Sequence, residues 1–319
     1  MSHQEVSPTP PPVGAAMPRP AVSCTGDSVE TSRERWLVPL ALGTLYVVWG
    51  STYLGIRFAL ESYPPFALAA IRFAIAGLVL FLALRLRGVP APSRRQWRNA
   101  AITGTLLLLG GNGLVCFAEQ TVNSGIAAVA VASMPLFAAV FAGFYGEWPH
   151  WREGLGLVIG FVGVVVLNLG AGLSGSRLGA LALLLAAALW AFGSVWSRRQ
   201  DMPKGPMNTA AQMLSASLAL ALTAWLSGEH LPAHPSAHAT AALIYLIIFG
   251  SLIAFSAYLY VLKSVRPALA TSYAYVNPPV AVLFGVLLAG EHVGPVDLAG
   301  MGIILIGVVT VIFARQKAR

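Results

Sequence analysis

The sequence predicts an all-α integral membrane protein of ten transmembrane helices, arranged as two inverted five-helix repeats. Three observations predict it: an apolar and nearly uncharged composition, ten apolar runs of spanning length, and a text that recurs 144 positions later. Of the 319 residues, 57% are hydrophobic and 10% are charged, against about 25% charged in a soluble globular domain. With a mean hydropathy of +0.73, a water-soluble fold would have too little polar surface to cover itself. A crossing helix needs roughly 20 predominantly apolar residues. Such runs lie near 37–57, 66–84, 99–118, 125–145, 154–170, 178–197, 207–227, 241–262, 268–289 and 297–314. They are read as helices because lipid supplies no partner for open backbone groups.

Taken in order, the chain opens with a tail, residues 1–35, whose segment "SPTPPPVGAAMPRP" is Pro-rich and lacks the apolar centre of a signal peptide. It is expected to be disordered and dispensable. The first repeat then covers 36–170, the second 171–314, and a short basic tail covers 315–319. Cys24 falls in the tail and Cys116 inside a run, so no structural disulfide is expected. The fourth run reads "SMPLFAAVFAGFYGE" and the ninth "NPPVAVLFGVLLAGE". Aligned without a gap, Pro135 meets Pro279, Gly146 meets Gly290, Glu147 meets Glu291, Gly156 meets Gly300 and Gly163 meets Gly307. Over 130–165, nine of 36 positions match, which is enough to treat the halves as copies. A second pairing, 141 apart, links Trp49 to Trp190 and Arg57 to Arg198.

The net charge of +8 raises the question of nucleic acid, and its distribution answers it. With the N-terminus in the cytoplasm, Arg33, Arg35, Arg85, Arg87, Arg94, Arg95, Arg98, Arg152, Arg198, Arg199, Lys204, Lys263, Arg266, Arg315, Lys317 and Arg319 fall inside. Only Arg177 falls in an outside loop. This is the positive-inside bias, so the basic excess reads as topology and no nucleic-acid partner is expected. Both termini are expected in the cytoplasm. The copies are then threaded in opposite directions, a recurring transporter device with its substrate site near mid-membrane.

Five stretches carry a family resemblance: "VVWGSTYLGIRFAL" (47–60), "PPFALAAIRFAIAG" (64–77), "SGIAAVAVASMPLFAAVFAGFYGE" (124–147), "LWAFGSVWSRR" (189–199) and "PALATSYAYVNPPVAVLFGVLLAGE" (267–291). The chain resembles the EamA family of the drug/metabolite transporter superfamily over residues 36 to 314, most closely its YedA-like branch. The resemblance implies an EamA-type carrier of the inner (plasma) membrane that exports amino acids or related metabolites.

Candidate cavity residues come from the paired runs. Pro135 and Pro279 each remove an amide donor and displace the carbonyl four residues earlier, at Val131 and Tyr275. Freed carbonyls at membrane depth are tolerated where protein or water satisfies them, so both prolines are expected to kink helices around the cavity. Tyr273, Tyr275 and Asn277 precede the ninth-span prolines, Trp49, Ser51 and Trp190 come from the first and sixth runs, and Asn112 sits within "LGGNGL". Such groups suit a largely apolar pocket with a few fixed polar contacts, and they also suit ordinary helix–helix hydrogen bonding. Arg57, Arg72, Glu61 and Glu119 form an ionisable group toward the outer face. Arg72 has the planar fork to hold a carboxylate, and Glu119 the chemistry to carry a proton; pairing at a rim or gate is the favoured alternative. Glu147 and Glu291 read as caps or gate contacts.

No Asp or Glu lies at the centre of a run. His230, His234 and His238 are four apart, but Pro232 and Pro235 interrupt any helix there, so no metal site is expected. No GxxxxGK loop is present, so ATP hydrolysis is not expected and no cofactor is called for. The expected partners are a small-molecule substrate and membrane lipid, with a homodimer left open. A membrane enzyme would need a catalytic constellation that is not visible, and a sensor or scaffold would bring a soluble domain that the short tail does not supply. The expectation is a secondary transporter working by alternating access, an exporter of amino-acid-like or drug-like molecules.

Overall fold

A computed structural model describes residues 27–122, 124–171, 177–289 and 295–316. Its bundle is the unit Val38–Arg319. The helical segments are α1 (Trp36–Leu60), α2 (Pro65–Leu86), α3 (Arg94–Ala118), α4 (Ser124–Val131), α5 (Met134–Gly143) and α6 (Trp151–Ala171). They continue with α7 (Arg177–Ser197), α8 (Pro206–Leu226), α9 (Ala237–Ser264), α10 (Pro267–Ala270), α11 (Tyr273–Ala289) and α12 (Pro295–Gln316). The pairs α4/α5 and α10/α11 each make one crossing, which gives ten helical crossings in two halves of five. Among the described residues, α1, α2, α3, α8 and α9 are each long and apolar enough to cross a membrane unaided. An odd number of crossings per half threads the two halves in opposite directions.

The helix starts follow from sequence. Pro65, Pro135 and Pro206 sit in the first turn of α2, α5 and α8, where a missing N–H leaves no bond unmade. α3 opens on a reciprocal cap: Gln96 N donates to Ser93 Oγ (3.2 Å) and Ser93 N to Gln96 Oε1 (3.1 Å). α9 opens on Ser236, whose Oγ accepts from Ala239 N (3.0 Å). The α2 start is also held from across the bundle. Glu229 accepts from Phe66 N (3.1 Å) and Ala67 N (2.7 Å), placing a carboxylate at the positive end of the helix dipole. At the chain start, a helix begins at Asp27 (Asp27–Thr44), inside the segment expected to be a disordered tail. The rest of that predicted tail lies outside the described residues.

The two matched prolines have different local settings. The fourth crossing leaves the helix at Ala132 and Ser133, just before Pro135. The ninth is interrupted at Thr271 and Ser272, while Pro278 and Pro279 stay inside α11. Each removes the N–H that would bond the carbonyl four residues earlier, at Ala274 and Tyr275. The Gly-Glu ending of the fourth crossing is a left-handed turn: Gly146 has φ 83°, Gly146 N donates to Gly143 O (2.8 Å) and Glu147 N to Ala142 O (3.0 Å). That geometry calls for glycine. Its repeat partner Gly290, with Glu291, lies outside the described residues.

Packing follows the small residues. α12 lies along α6, α2 along α8, and α7 against α3. A Cβ added at Gly307 would come within 2.4 Å of Gly160 N and 2.8 Å of Gly156 O, so the α6–α12 backbones touch only because no side chain intervenes. Large apolar residues such as Leu181 (64% exposed) and Leu218 (74%) face outward, a surface that lipid, not water, covers. Cross-loop contacts gather the arginine-rich connections at one end. Gln96 Nε2 donates to Asp201 Oδ1 (3.1 Å), Arg199 pairs with Glu147 (2.7 Å) and Arg266 with Glu153 (3.0 Å). The opposite end joins Ser62 to Ser236 and Glu61 to His238.

Three stretches depart from α-helical winding into wider π-helical turns: Leu45–Trp49 in α1, Thr105–Gly113 in α3 and Leu246–Ile253 in α9. The last two begin 141 positions apart, the spacing that links Trp49 and Trp190. Such turns free backbone groups and re-aim side chains, commonly at functional sites.

Candidate substrate cavity

All three wide turns contribute to one cavity inside the bundle. Trp49 comes from the first, Leu108, Gly111 and Asn112 from the second, and Gly250 from the third. α1 adds Thr52, Tyr53 and Ile56, which continue the Trp49 face at helical spacing. α2 adds Arg72 and Phe73, and the interrupted fourth crossing adds Val131 and Met134 on either side of its break. From the second half come Ala186, Ala187 and Trp190 on α7, Phe255 on α9, and Tyr273 and Asn277 on α11. The space open to the centre of a water-sized sphere is about 60 Å³. One water needs roughly 10–15 Å³ by that measure, so this conformation admits a handful of waters.

The wall is an aromatic cluster built from both halves. Trp49 meets Trp190 and Tyr273 edge-on, with centroids 5.5 and 4.7 Å apart, and Tyr258 at a tilt, 5.2 Å away. Each indole N–H is occupied: Trp49 Nε1 donates to Gly250 O (3.1 Å) and Trp190 Nε1 to the Tyr258 hydroxyl (3.1 Å). Ser194 also hydrogen-bonds that hydroxyl. Tyr273 OH donates to Met134 Sδ (3.3 Å). Edge-to-face pairs of this kind contribute about 0.5–1.5 kcal/mol each beyond burial, and they hold the ring faces in place.

The sequence candidates divide between lining and support. Trp49, Asn112, Trp190, Tyr273 and Asn277 line the cavity, and so does Arg72, from the ionisable group. Ser51 turns away, bonded to Val48 O and the Tyr245 hydroxyl. Tyr275 turns away too, donating to Leu157 O on α6 (3.2 Å). Pro135 and Pro279, expected around the cavity, are not among its lining residues. Arg57 is exposed, and Glu61 pairs with His238. Glu119 is buried, and neither carboxyl oxygen has a hydrogen-bond partner among the described residues. Glu147 pairs with Arg199, whose guanidinium also lies 4.0 Å over the Tyr145 ring; the helix start at Trp151 is served by Glu153, which accepts from His150 N (3.1 Å). Arg198, the repeat partner of Arg57, instead ties α7 to the end of α9 through Leu262 O (2.9 Å) and Val265 O (2.7 Å). Glu147, Glu153, Arg198 and Arg266 line a second, charged cavity of about 260 Å³ at the basic end.

Lining residues without a motif of their own, such as Thr52, Tyr53, Phe73 and Phe255, escaped the sequence reading. The signal for two of them was present: Thr52 and Tyr53 lie three and four positions after Trp49, on one helix face.

A ten-crossing helical bundle whose two halves close around an aromatic, sparingly polar cavity is the architecture of a multi-pass membrane transporter. The profile of the EamA-like transporter family matches residues 36–169 and again 177–313. The chain therefore belongs to this family, a transporter family and not an enzyme family. It is 46% identical to the "Uncharacterized inner membrane transporter YedA" of Escherichia coli (strain K12), over 89% of this chain and 94% of that protein. It is 25% identical to the "Probable terminal-alkyne amino-acid exporter" of Streptantibioticus cattleyicolor, over 89% and 94% respectively. A solved crystal structure superposes with a TM-score of 0.72 at 24% identity, covering 88% of this chain and 98% of that one, a likeness of fold.

Proposed function

We propose that the protein is a secondary transporter that exports small amino-acid-like metabolites or drugs by alternating access, from an inner membrane with both termini in the cytoplasm. The observation that carries this reading is the cavity itself: Trp49 and Asn112 from one half, and Trp190 and Asn277 from the other, enclose one space. Halves threaded in opposite directions can exchange conformations, giving inward-open and outward-open states of similar energy. The interrupted fourth and ninth crossings are the moving parts, since broken helices bend at less cost than continuous ones. The substrate class is supported by the amino-acid exporter among the relatives and by walls that combine ring faces with few polar groups. The orientation is supported by the single basic end. Glu119, buried with both oxygens unpartnered among the described residues, is the candidate to carry a coupled proton.

The test is a proteoliposome screen of labelled amino acids and cationic drugs, with and without a pH gradient. Saturable flux of at least one compound that responds to the gradient is the expected result. Absence of protein-dependent flux for the whole panel would refute the reading.

A further inference from the structure

Arg72 is 3% exposed, yet none of the ion pairs among the described residues includes it. Its Nε donates to Ser251 Oγ (2.7 Å), its guanidinium carbon lies 4.9 Å from the Phe73 ring centroid, and its Nη1 is buried without a partner among the described residues. In the same cavity lining, Asn277 is 2% exposed and its Oδ1 is likewise buried without a partner among the described residues. Its side chain interacts with the Tyr53 hydroxyl. The cavity thus offers one unanswered cationic donor and one unanswered neutral acceptor between aromatic walls.

Each orphan is costly by itself. A buried cation without a counter-ion is strongly unfavourable, and in membrane proteins ionisable groups at depth mark substrate or ion sites. A ligand that carries an anion and a hydrogen-bond donor would satisfy both. A guanidinium presents its N–H groups in a plane that matches a carboxylate, and an amide oxygen accepts from an ammonium or amine. Ser251 holds the Nε edge, which fixes the plane of the fork and leaves Nη1 for the ligand. The third turn matters here too: a Cβ at Gly250 would come within 2.8 Å of Arg72 Nη2, so the bare backbone at Gly250 is what lets the guanidinium lie where it does.

We infer that Arg72 and Asn277 form the head-group site of this cavity, Arg72 binding the α-carboxylate and Asn277 Oδ1 the α-amine of a zwitterionic amino acid. The ligand's side chain then lies against the Trp49, Trp190 and Tyr273 rings. Both orphaned atoms are buried in the present conformation, so the walls part to admit the head group as well as the side chain. This inference rests on the transporter reading and deepens it by naming the recognised chemistry.

The test is calorimetric titration of the full chain in lipid nanodiscs with L-alanine, L-leucine and L-phenylalanine, each beside its amide, and with 3-phenylpropionate as the amine-free analogue of L-phenylalanine. At least one amino acid is expected to bind about ten- to a hundredfold more tightly than its amide, the ratio of a charge-assisted hydrogen bond. Arg72→Gln should bring that ratio to about one, and Arg72→Lys should restore it in part. Asn277→Ala should leave the carboxylate preference in place while abolishing the preference for L-phenylalanine over 3-phenylpropionate. A purely structural role for Arg72 would lower affinity for acid and amide alike. Amino acids and amides binding equally to the wild type, or none binding, overturns the proposal whether or not the variants fold. Flux in proteoliposomes without carboxylate preference would sink the head-group site and spare the transporter; carboxylate-selective binding without flux would do the reverse.

Discussion

Gly111→Ala places a single methyl group where the cavity wall is tightest. Gly111 lies in the wide turn of α3, and a Cβ there would sit 2.3 Å from Trp190 Cε3 and 3.2 Å from Cδ2. Ordinary contact begins near 3.4 Å, so the indole must retreat by about 1.1 Å. It has little room to do so: Nε1 is bonded to the Tyr258 hydroxyl, and the ring packs edge-on against Trp49 and Phe255. Overpacking a well-filled interior costs about 1–3 kcal/mol. The helical gain from glycine to alanine offsets about 1 kcal/mol of that, and less than that in a π turn. A net destabilisation of ~1–2 kcal/mol is expected, small enough to leave a folded protein, with Trp190 displaced from its place on the wall. The assay is counterflow in proteoliposomes beside thermal unfolding in detergent, with Gly43→Ala as the control because nothing lies within 4 Å of its added Cβ. A folded Gly111→Ala protein should transport poorly, and the control normally. Wild-type flux and an unchanged unfolding midpoint for Gly111→Ala would refute the packing and the cavity together.

Asn277→Ala should reduce flux severalfold with little loss of membrane insertion; unchanged initial rates would remove Asn277 from the site. Glu229→Ala removes the acceptor for Phe66 N and Ala67 N and should cost about 1–2 kcal/mol, by analogy with loss of a helix cap. A thermal melt reads it, and Glu229→Gln should recover part of the loss. Glu119→Gln breaks no hydrogen bond among the described residues, where both oxygens are unpartnered, so expression and melting should hold while dependence of flux on the pH gradient disappears. A gradient response identical to wild type would dismiss Glu119 as the proton carrier.

The one-dimensional text was sufficient wherever a single residue acts on its own helix. Apolar run length gave the crossings, because lipid penalises every unpaired backbone group regardless of context. Ser93 with Gln96 marks a helix start through purely local bonds, and Pro65 and Pro206 do so through a fixed φ and a missing N–H. The 141-residue spacing brought Trp49 and Trp190 to notice before their rings were seen 5.5 Å apart.

What the text left open depends on contacts between residues far apart in the chain. Ser51 and Tyr275 have the same chemistry as their lining neighbours, and only the rotation of α1 and α11 within the bundle turns one toward Tyr245 and the other toward Leu157. Arg72 read as a charge toward the outer face because the predicted topology puts its end of the second run there. Its position beside Ser251 and Gly250, 179 and 178 residues away, is set by the close approach of α2 to the wide turn of α9. Local propensity and hydropathy act within a turn or two of helix and are written along the chain. The cavity arises where seven crossings meet, and packing between distant segments decides which faces turn inward.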